Sequence, residues 1–474
     1  MSKFISTQQR GLNLIEENVN AMLFSSPQFA AALRIVETLC DKGYEAYLAG
    51  GCVRDLLMGR EPHDYDVATS ATPDVVLASF PCTFAVGAHF GVVLVADEET
   101  VTEVATFRFD GAYSDGRRPD SVRYTPSAEE DVERRDFTIN GLLLNPLAIA
   151  DSAGDSGKMR SAVLDYVHGL DDLDAGVIRA IGEPSRRFEE DQLRLLRAVR
   201  FAARFEFTIE PVTLSAIRAM APKIASVSRE RVREELTKLL TEGHARRAFE
   251  LLDETGLLAE VLPEIAKTKG VEQPAQYHPE GDVWTHTLML LEQLEAGAPL
   301  TLAWGALLHD VGKPATFRIA TDRIRFDGHV EVGMAIGAET CRRFRFSNDE
   351  TQQILALIEN HMRFADTGHM KPSTLKRFFR LQEFPQHLAL HKMDCLAGSG
   401  NLDHWNFARE QYEAMPEETV RPAPLLTGRE LIAAGYAPGP RFKEILRKVE
   451  DAQLEGAIHT QDEAMAIVRE LFGF

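Results

Sequence analysis

Two aspartates separated by a single residue, Asp64 and Asp66, are the first side chains whose spacing suggests chemistry. In an extended chain alternate residues share a face, so both carboxylates could bind the same divalent ions. Two-metal phosphoryl transfer requires such a pair, with one ion activating the attacking hydroxyl and the other holding the triphosphate. An isolated Asp-x-Asp is more often a solvated turn, so the interpretation depends on the neighbouring sequence.

A glycine pair and an arginine precede these aspartates in the segment LAGGCVRDLL. Gly50 and Gly51 stand before a polar helix start, where glycine lets backbone N–H groups approach phosphate oxygens closely. Arg54 follows and could contact the same oxygens. A Gly-Gly pair alone more often marks an ordinary turn, but beside the aspartates it favours a phosphate site.

The segment EDQLR offers a pair of side chains that could read a nucleotide base. If the segment is helical, Asp191 and Arg194 share a face and present one acceptor beside a fork of donors. Cytosine and adenine show an amino donor next to a ring-nitrogen acceptor, whereas uracil and guanine show a carbonyl next to an N–H. The pair would therefore select C and A, although an ordinary surface salt bridge has the same spacing.

Histidine and aspartate recur in the second half of the chain, in HPEGDVWTHT, GALLHDVGKP, FDGHVEVG, ENHMR and HKMDC. Imidazole and carboxylate together suit Mn, Ni, Fe, Zn or Mg, and a metal-bound water can attack a phosphoester. A lone His-Asp dipeptide is common by chance, so this interpretation depends on the whole set.

The elements that must position these groups change character along the chain. Residues 26–43 have apolar positions at helical spacing, and YEAYLAGG then predicts a strand entering a turn. Further strand-like runs follow, and one of them, TEVATFR, carries Glu103. We take Glu103 as a candidate third carboxylate, although an edge-strand glutamate facing water has the same pattern. After the Gly/Ser/Asp-rich stretch 151–157, the pattern is overwhelmingly helical.

The composition indicates a soluble protein of several domains. The 474 residues are 45% hydrophobic and 26% charged, and at ~100–200 residues per domain this length implies roughly three units. No window reaches the ~18–20 apolar residues of a membrane span, and the N-terminus lacks a secretory h-region, so we expect a cytoplasmic protein. The five cysteines include no CxxC pair, which argues against a zinc knuckle or a disulfide framework.

The net charge bears on nucleic-acid binding. The chain has 52 Lys+Arg against 72 Asp+Glu, a formal charge of −20, whereas contact with phosphate usually needs a positive face. Locally the balance reverses, since residues 186–247 hold fourteen basic against nine acidic side chains. A basic path could run along this segment, although helices can also distribute such charges all round. If RNA binds, we expect few phosphate contacts.

Four blocks occur in a fixed order: AGGCVRDLL, HDYDVATSATP, RRDFTIN and EDQLR. In this combination the chain resembles the head of the tRNA nucleotidyltransferase and poly(A) polymerase family, whose fold is similar to that of polymerase β. The resemblance implies that Asp64 and Asp66 hold Mg²⁺ and that Asp136 accepts from the ribose 2′-OH. The nucleotide-binding residues that it implies are Gly50, Gly51, Arg54, Arg135, Asp136, Asn140, Asp191, Arg194 and Arg197.

Two features distinguish branches of that family. Bacterial poly(A) polymerases usually carry a basic G-[RK]-[RK]-F stretch where this chain has GAHFG, so the chain resembles the tRNA-directed class II bacterial branch. The segment 109–133 is also full length, which in the family accompanies the capacity to add A. We therefore expect addition of C, C and A from CTP and ATP to the 3′ end of tRNA. An A-adding enzyme or a poly(A) polymerase is the alternative.

The histidine and aspartate segments are similar in order and wording to the HD phosphohydrolase family. The resemblance implies a divalent transition metal or Mg²⁺ and a phosphodiesterase, 2′-nucleotidase or phosphatase activity. A second alternative makes this hydrolase the main activity, with the head as a regulator. The implied ligands are His286, His309, Asp310 and Asp394, with His329 and His361 as accessory ligands.

The predicted architecture is an α+β head of polymerase β type followed by an all-α neck, HD domain and tail. The partners are tRNA, CTP and ATP, with no membrane, and the oligomeric state is left open. The predicted domains are 1–165 for the head, 166–270 for the neck, 271–415 for the HD domain and 416–474 for the helical tail.

Overall fold

The structure is a computed structural model that describes residues 26–87, 91–97, 99–111, 121–149, 156–274, 276, 279, 281–321 and 323–473. The chain divides into two compact units. The first comprises Met1–Glu235 and Leu251–Val261, and the second comprises Leu236–Glu250 and Leu262–Phe474. The predicted α+β class, with a mixed head and a mostly helical remainder, is confirmed. Among the described residues, no helix has the length and apolar character that a membrane span needs.

The first unit contains a seven-stranded sheet. Its strands are β1 (Ala46–Ala49), β2 (Val67–Thr69), β3 (Thr83–Gly87), β4 (Val92–Ala96), β5 (Val101–Thr106), β8 (Leu143–Leu144) and β9 (Val163–Leu164). They lie in the order β3-β4-β5-β2-β1-β8-β9. Strands β2 and β5 are parallel neighbours, and the other neighbouring pairs in this sheet are antiparallel. Smaller two-stranded sheets pair β6 (Arg108–Asp110) with β7 (Val122–Tyr124) and β10 (Val177–Ile178) with β11 (Thr208–Ile209).

Alternating burial along the strands gives the sheet one face that packs in the core and an opposite face that carries polar side chains such as Glu103. On β5, Thr102 and Val104 are buried, whereas Glu103 lies on the opposite face. The first described helix, α1 (Pro27–Asp41), covers part of the core. It begins after a Ser26 cap whose hydroxyl accepts from the Phe29 amide at 3.1 Å. The strand that supplies Glu103 is therefore fixed by its buried residues.

Short helices complete the first unit, and two of them, α10 (Arg229–Thr241) and α11 (Ala245–Glu254), each contain residues of both units. The helices are α1 (Pro27–Asp41), α2 (Gly51–Leu57), α3 (Pro73–Ser79), α4 (Ala128–Glu133), α5 (Ser156–Ser161), α6 (Gly169–Ala175), α7 (Pro184–Glu190), α8 (Arg194–Phe205), α9 (Pro211–Met220), α10 (Arg229–Thr241), α11 (Ala245–Glu254) and α12 (Leu257–Val261). Short 3₁₀ helices span Thr138–Asn140, Pro146–Ala148 and Ala221–Ser226.

The second unit is almost entirely helical. One of its apolar clusters is centred on Phe364, Phe378 and Phe384, and another on Leu431, Ile445 and Val468. Its helices are α13 (Pro263–Ala266), α14 (Val283–Glu292), α15 (Leu300–Leu308), α16 (Lys313–Thr316), α17 (His329–Arg343), α18 (Asn348–Asn360), α19 (Pro372–Phe379), α20 (Phe384–Ala397), α21 (Asp403–Ala414), α22 (Glu417–Val420), α23 (Gly428–Ala433), α24 (Arg441–Leu454) and α25 (Gln461–Phe472). A 3₁₀ helix spans His361–His369, and β12 (Arg318–Ile319) pairs with β13 (Ile324–Arg325).

Candidate active site

Three carboxylates line one cavity of about 700 Å³ in the first unit. Asp66 directly precedes β2 and Glu103 lies on β5, and the parallel register of Val67 with Val104 sets the two acidic residues side by side. Asp64 lines the same cavity. The structure therefore brings together the two aspartates and the third carboxylate expected from the sequence.

Tyr65, between the two aspartates, is directed into the core. It is 4% exposed, and its ring meets Phe29 edge to face with centroids 5.7 Å apart. The expectation that the aspartates lie within a strand is wrong in detail, because β2 begins at Val67. The Ala49 amide nevertheless donates to the Asp66 carbonyl at 3.0 Å, so pairing with β1 reaches this residue.

Two of the three carboxylates, Asp66 and Glu103, have a raised proton affinity. Burial, followed by the charges of Glu103 and Asp64, raises the pKa of Asp66 from 3.8 to about 6. Burial and the charge of Asp64 also raise the pKa of Glu103. A divalent cation among these oxygens would offset the repulsion, and carboxylate oxygens are the ligands that Mg²⁺ prefers. In chemical type these donors suit Mg²⁺, but among the described residues the oxygens of the three carboxylates do not all lie within 4.8 Å of one another.

Gly50 allows an arginine to approach the turn after β1. Its φ is +73°, and a Cβ at this position would lie 3.0 Å from Nη1 of Arg135. Arg135 also donates to Asp131 at 2.9 Å, and its charge acts to lower the pKa of Asp66. Gly50, Gly51 and Arg135 all line the cavity, so the glycine pair makes room for a cation beside the carboxylates.

A continuous chain of polar contacts runs along this cavity. Arg54 donates to Asp55 from Nε at 2.8 Å and to Oδ1 of Asn140 from Nη1 at 2.5 Å. The Asn140 amide donates to Oδ1 of Asp136 at 3.0 Å, and Arg197 donates to Oδ2 of Asp136 at 2.8 and 2.6 Å. Four residues predicted to bind a nucleotide therefore form one network.

The helix predicted through EDQLR is interrupted. Helix α7 ends at Glu190 and α8 begins at Arg194, while Asp191 has an extended backbone with ψ of 105°. The Asp191 carboxylate accepts from the Leu193 amide at 3.0 Å, a local turn contact that competes with helical hydrogen bonding. The expectation that Asp191 and Arg194 share a helical face is therefore wrong.

Both residues nevertheless line the cavity, and each has partners of its own. Arg194 donates from Nη1 to Glu190 at 2.8 Å and to the Arg187 carbonyl at 2.9 Å, and from Nη2 to the Arg134 carbonyl at 3.2 Å. These contacts do not correspond to a simple salt bridge between the two residues. Because each side chain is held by its own partners, the cavity is lined by both the Asp191 carboxylate, an acceptor, and the Arg194 guanidinium, a donor.

Arg231, which anchors Asp191, was not predicted from the sequence. Arg231 lies on α10 and donates to both oxygens of Asp191, from Nη1 at 3.2 Å and from Nη2 at 2.7 Å. The basic surplus of residues 186–247 was the signal in the sequence, but it did not single out this pair. Further cavity-lining residues that sequence analysis missed are Arg108, Arg134, Arg200, Phe201 and Arg204.

A separate cluster lies in the second unit, where histidine and aspartate side chains form two groups. Within each group the candidate ligand atoms lie within 4.8 Å of one another. A cavity of about 680 Å³ is lined by Asp310, Asp394 and Lys313 as well as by two of the histidines. The first group is His286, His309 and Asp394, and the second is Asp310, His329 and His361.

Backbone carbonyls orient three of these imidazoles. Nδ1 of His309, His329 and His361 lies 2.8, 3.0 and 2.7 Å from the carbonyl oxygen three residues earlier. This contact leaves Nε2 as the nitrogen that faces the group, an arrangement typical of metal ligands. Burial lowers the pKa of His361 to about 4, which keeps its imidazole neutral, as metal binding requires.

The adjacent residues His309 and Asp310 fall into different groups. Their facing atoms, Nε2 and Oδ2, are 3.1 Å apart, yet the buried Nε2 of His309 has no hydrogen-bond partner among the described residues. Nε2 of His286 lies 3.0 Å from Oδ1 of Asp394. An orphaned buried nitrogen beside carboxylate oxygens fits a divalent metal, with Asp310 next to both groups.

Two sequence features used to distinguish branches of the family fall partly outside the described residues. These are His89 and its neighbours within GAHFG, at positions 88–90, and positions 112–120 of the long segment 109–133. The stretch 151–155 of the predicted loop is also outside them. What the sequence predicts from these positions therefore stays a prediction.

Family models match three stretches of the chain. The poly A polymerase head domain matches residues 46–179. A region described for polymerase A as a probable RNA and SrmB binding site matches 206–269, and a second domain of tRNA nucleotidyltransferases matches 332–468. The first two matches cover segments that line the carboxylate cavity.

Curated relatives show the same relationship. A CCA-adding enzyme of Levilactobacillus brevis is 32% identical over 440 residues, which is 92% of this chain and 96% of that protein. The CCA-adding enzyme of Geobacillus thermodenitrificans is 44% identical over 241 residues, 51% of this chain. That alignment and one with the Geobacillus stearothermophilus enzyme span 56% and 59% of the relatives' lengths.

Solved structures resemble the chain over nearly its whole length. The Bacillus stearothermophilus CCA-adding enzyme, crystallised with CTP, gives a TM-score of 0.69 at 28% identity and covers 94% of this chain and 98% of its own. The Thermotoga maritima CCA-adding enzyme, in complex with tRNA, gives 0.56 at 17% identity and covers 95% and 97%. At that identity the Thermotoga structure shows a shared fold.

Proposed function

From the premise that the chain belongs to the tRNA nucleotidyltransferase family, which its 32% identity to a CCA-adding enzyme over 92% of its length shows, we propose that it adds C, C and A to the 3′ end of tRNA. CTP and ATP would be the nucleotide substrates. The observation that carries the proposal is the convergence of three carboxylates and several arginines on one cavity. Negative and positive side chains then serve different parts of a nucleoside triphosphate.

Asp64, Asp66 and Glu103 would hold Mg²⁺. Bound there, Mg²⁺ would supply charge neutralisation for the triphosphate and activation of the attacking hydroxyl. Arg135, beside Gly50 and close enough to lower the pKa of Asp66, would donate to phosphate oxygens. Arginine suits this role because its forked donors match phosphate geometry.

Asp191 and Arg194 would recognise the base. An acceptor from Asp191 and donors from Arg194 complement the amino group and ring nitrogen of cytosine and adenine. Arg231 would hold the Asp191 carboxylate in place through its two contacts, at 3.2 and 2.7 Å. Protein side chains would thus take the place of a nucleic-acid template.

Labelled nucleotide incorporation tests the proposal. Purified protein with Mg²⁺, a tRNA lacking CCA, and radiolabelled CTP and ATP should yield extended tRNA. Asp66→Asn should reduce kcat by several orders of magnitude, whereas Asp97→Asn, an exposed aspartate paired with Arg34, should not. Addition of A alone or of long A tracts would instead favour the alternative A-adding or poly(A) polymerase activities.

The histidine cluster of the second unit favours a second function, metal-dependent phosphoester hydrolysis. It is supported by the two ligand groups and by the orphaned Nε2 of His309. A transition metal or Mg²⁺ there would supply an activated water, and Lys313, which donates to Gln273 at 2.7 Å, would add a positive charge beside Asp310.

Hydrolysis of a 2′,3′-cyclic nucleotide in the presence of Mn²⁺, Ni²⁺ or Mg²⁺ tests this second function. His309→Ala should abolish hydrolysis and weaken metal binding measured by calorimetry, while CCA addition persists. Loss of both activities together would indicate a structural role for the cluster. Hydrolysis by a protein that never extends tRNA would favour a hydrolase with a regulatory head.

A further inference from the structure

A short hairpin in the second unit carries two arginines to the cavity of the histidine cluster. Its strands, β12 and β13, pair antiparallel, and the Ala320 amide donates to the Arg323 carbonyl at 3.0 Å between them. Arg323 and Arg325 line the cavity of about 680 Å³ that is also lined by Asp310 and Asp394. Positive side chains therefore share one cavity with the candidate metal ligands.

The base of this hairpin is fixed next to a candidate ligand. Phe317 and Phe326, which flank the hairpin, lie with ring centroids 6.0 Å apart, and the Lys313 ammonium lies 5.4 Å from the Phe326 ring centre. The Phe326 carbonyl oxygen is also 3.0 Å from Nδ1 of His329. Because Arg325 precedes His329 by four positions, their Cα atoms lie at most about 14 Å apart. A small ligand can therefore reach both residues.

Lys313, which also lines this cavity, is already engaged beside the ligands. It is 6% exposed, lies 2.7 Å from Oδ2 of Asp310 and donates to Gln273 at 2.7 Å. A phosphate at Lys313 would displace a contact between buried groups, which is costly. Arg323 is exposed and Arg325 is partly buried, and arginine matches phosphate with its forked donors. The two arginines are therefore better placed to bind a phosphate away from the metal ligands.

The register of the hairpin places like charges together. Arg318 lies directly opposite Arg325, so the two side chains share a face, and like charges in this arrangement repel. Asp327 accepts from Arg318 at 2.7 Å and so offsets the charge of that arginine. A phosphate at Arg325 would reduce the repulsion further.

Apolar side chains complete the cavity. Ile324, Phe326, Met362 and Ala365 line it, and its volume of about 680 Å³ lies within the ~300–1,000 Å³ of typical small-molecule pockets. A nucleoside can occupy the apolar part while one phosphate lies at the ligands and another at the arginines. The cavity thus suits a nucleotide with phosphate on both sides of the sugar.

We propose that Arg323 and Arg325 bind a second phosphate of the substrate, on the 5′ side of a nucleotide whose 2′- or 3′-phosphoester is hydrolysed at the histidine cluster. The inference rests on the proposed phosphoester hydrolysis and names its substrate class, ribonucleotides phosphorylated on both sides of the sugar. With a 2′,3′-cyclic substrate, water adds to phosphorus, one P–O bond to the ribose breaks, and the ribose oxygen takes a proton. The 5′-phosphate is unchanged, so the arginines determine specificity and do not touch the reacting bond.

Steady-state hydrolysis of two compounds tests the assignment: cytidine 2′,3′-cyclic phosphate and the same compound carrying a 5′-phosphate. In the wild type, KM should be about tenfold lower for the 5′-phosphorylated compound, the size expected for hydrogen bonds to a charged group. The double variant Arg323→Gln/Arg325→Gln should lose this advantage with kcat nearly unchanged, because binding away from the reacting bond changes KM alone. Arg325→Lys, which keeps a charged donor, should retain part of it.

Arg342→Gln is the matched control for charge. Arg342 lies on α17, pairs with Glu339 at 2.6 Å and is exposed, so its loss should leave the advantage intact. A short RNA that ends in a 2′,3′-cyclic phosphate distinguishes two sources of the same chemistry. A larger effect of the double variant on this RNA identifies an RNA end as the substrate, and a larger effect on the mononucleotide identifies a free nucleotide.

Calorimetric titration of metal-free protein with the same two compounds keeps the test independent of hydrolysis. The carboxylate cavity of the first unit can also bind nucleotides, so only the binding that is lost in the double variant is assigned to the arginines. If this binding favours the 5′-phosphorylated compound in a protein that hydrolyses neither, the proposed hydrolysis fails while the phosphate site stands.

Three results would overturn the assignment. The first is hydrolysis of both compounds by the wild type with equal KM values. The second is an advantage of the 5′-phosphorylated compound that persists in the double variant. The third is an equal loss of the advantage in Arg342→Gln, which would show a general effect of charge.

Discussion

Asp191 is anchored to the protein from two directions, by the Leu193 amide at 3.0 Å and by Arg231. We expect Asp191→Ala to abolish the preference for CTP and ATP over UTP and GTP, since the acceptor that matches an amino group is lost. Incorporation assays with each of the four nucleotides measure this. Glu189→Ala is the matched control, because Glu189 is exposed and pairs with Lys223 at 2.9 Å. Unchanged selectivity in Asp191→Ala would remove its template role.

Asp66 should make the metal-free protein less stable as the pH rises. Its pKa is raised from 3.8 to about 6 in the folded state, so the folded state binds its proton more tightly than the unfolded state does. The resulting stabilisation is fully present below pH 3.8 and is lost as the pH rises through about 6.

Urea unfolding of metal-free wild type and Asp66→Asn across this pH range measures the effect. The difference in unfolding free energy between them should change in favour of Asp66→Asn as the pH rises toward 6, since asparagine carries no titrating charge. Saturating Mg²⁺ should reduce the change. A difference that is independent of pH would show that Asp66 has an ordinary pKa.

At the scale of elements, the turn between β1 and α2 determines how closely Arg135 approaches the carboxylates. Gly50→Ala should destabilise the protein by about 1 kcal/mol through its left-handed backbone and should also raise KM for the nucleotide. Gly43→Ala is the matched control, since Gly43 also has a positive φ, +86°, but a Cβ added there would meet nothing within 4 Å. Thermal unfolding and steady-state kinetics distinguish the two variants. Equal KM values would contradict the role of Gly50 in making room for Arg135.

The elements that follow local sequence rules could be predicted, and those that depend on distant partners could not. The β5 strand carrying Glu103 follows from alternating burial, and helix α1 follows from its cap and apolar spacing. The break between α7 and α8 could not be predicted, because helical spacing continues through it. Asp191 leaves the helix for contacts that include Arg231, forty residues away along the chain.

The same limit applies to the histidine cluster. Its members were identified from sequence motifs, but the division of His309 and Asp310 between two groups depends on how α14, α17 and α20 pack. Neighbours in a sequence need not face the same ion. The contact between Arg197 and the Asp136 carboxylate could not be predicted from the sequence either, because the two residues are sixty-one positions apart along the chain.

At the scale of the whole molecule, the net charge of −20 limits how RNA can be held. The arginines of the carboxylate cavity are partly neutralised by Asp136, Asp191 and Glu190. We therefore expect a log–log plot of tRNA affinity against salt with a slope of roughly −3 or shallower, the value for a few phosphate contacts. Filter binding over a range of KCl concentrations measures it. A slope near that of strongly basic proteins, about −10, would contradict this expectation.

The proposed function requires that one cavity adds three defined nucleotides and then stops. Sequencing the 3′ ends of product tRNA tests it most directly, with substrates that end at the discriminator base, after one C and after two Cs. With CTP, ATP and Mg²⁺, we expect all three substrates to converge on a single CCA end. Extension of only the last substrate, or A tracts of variable length, would contradict it.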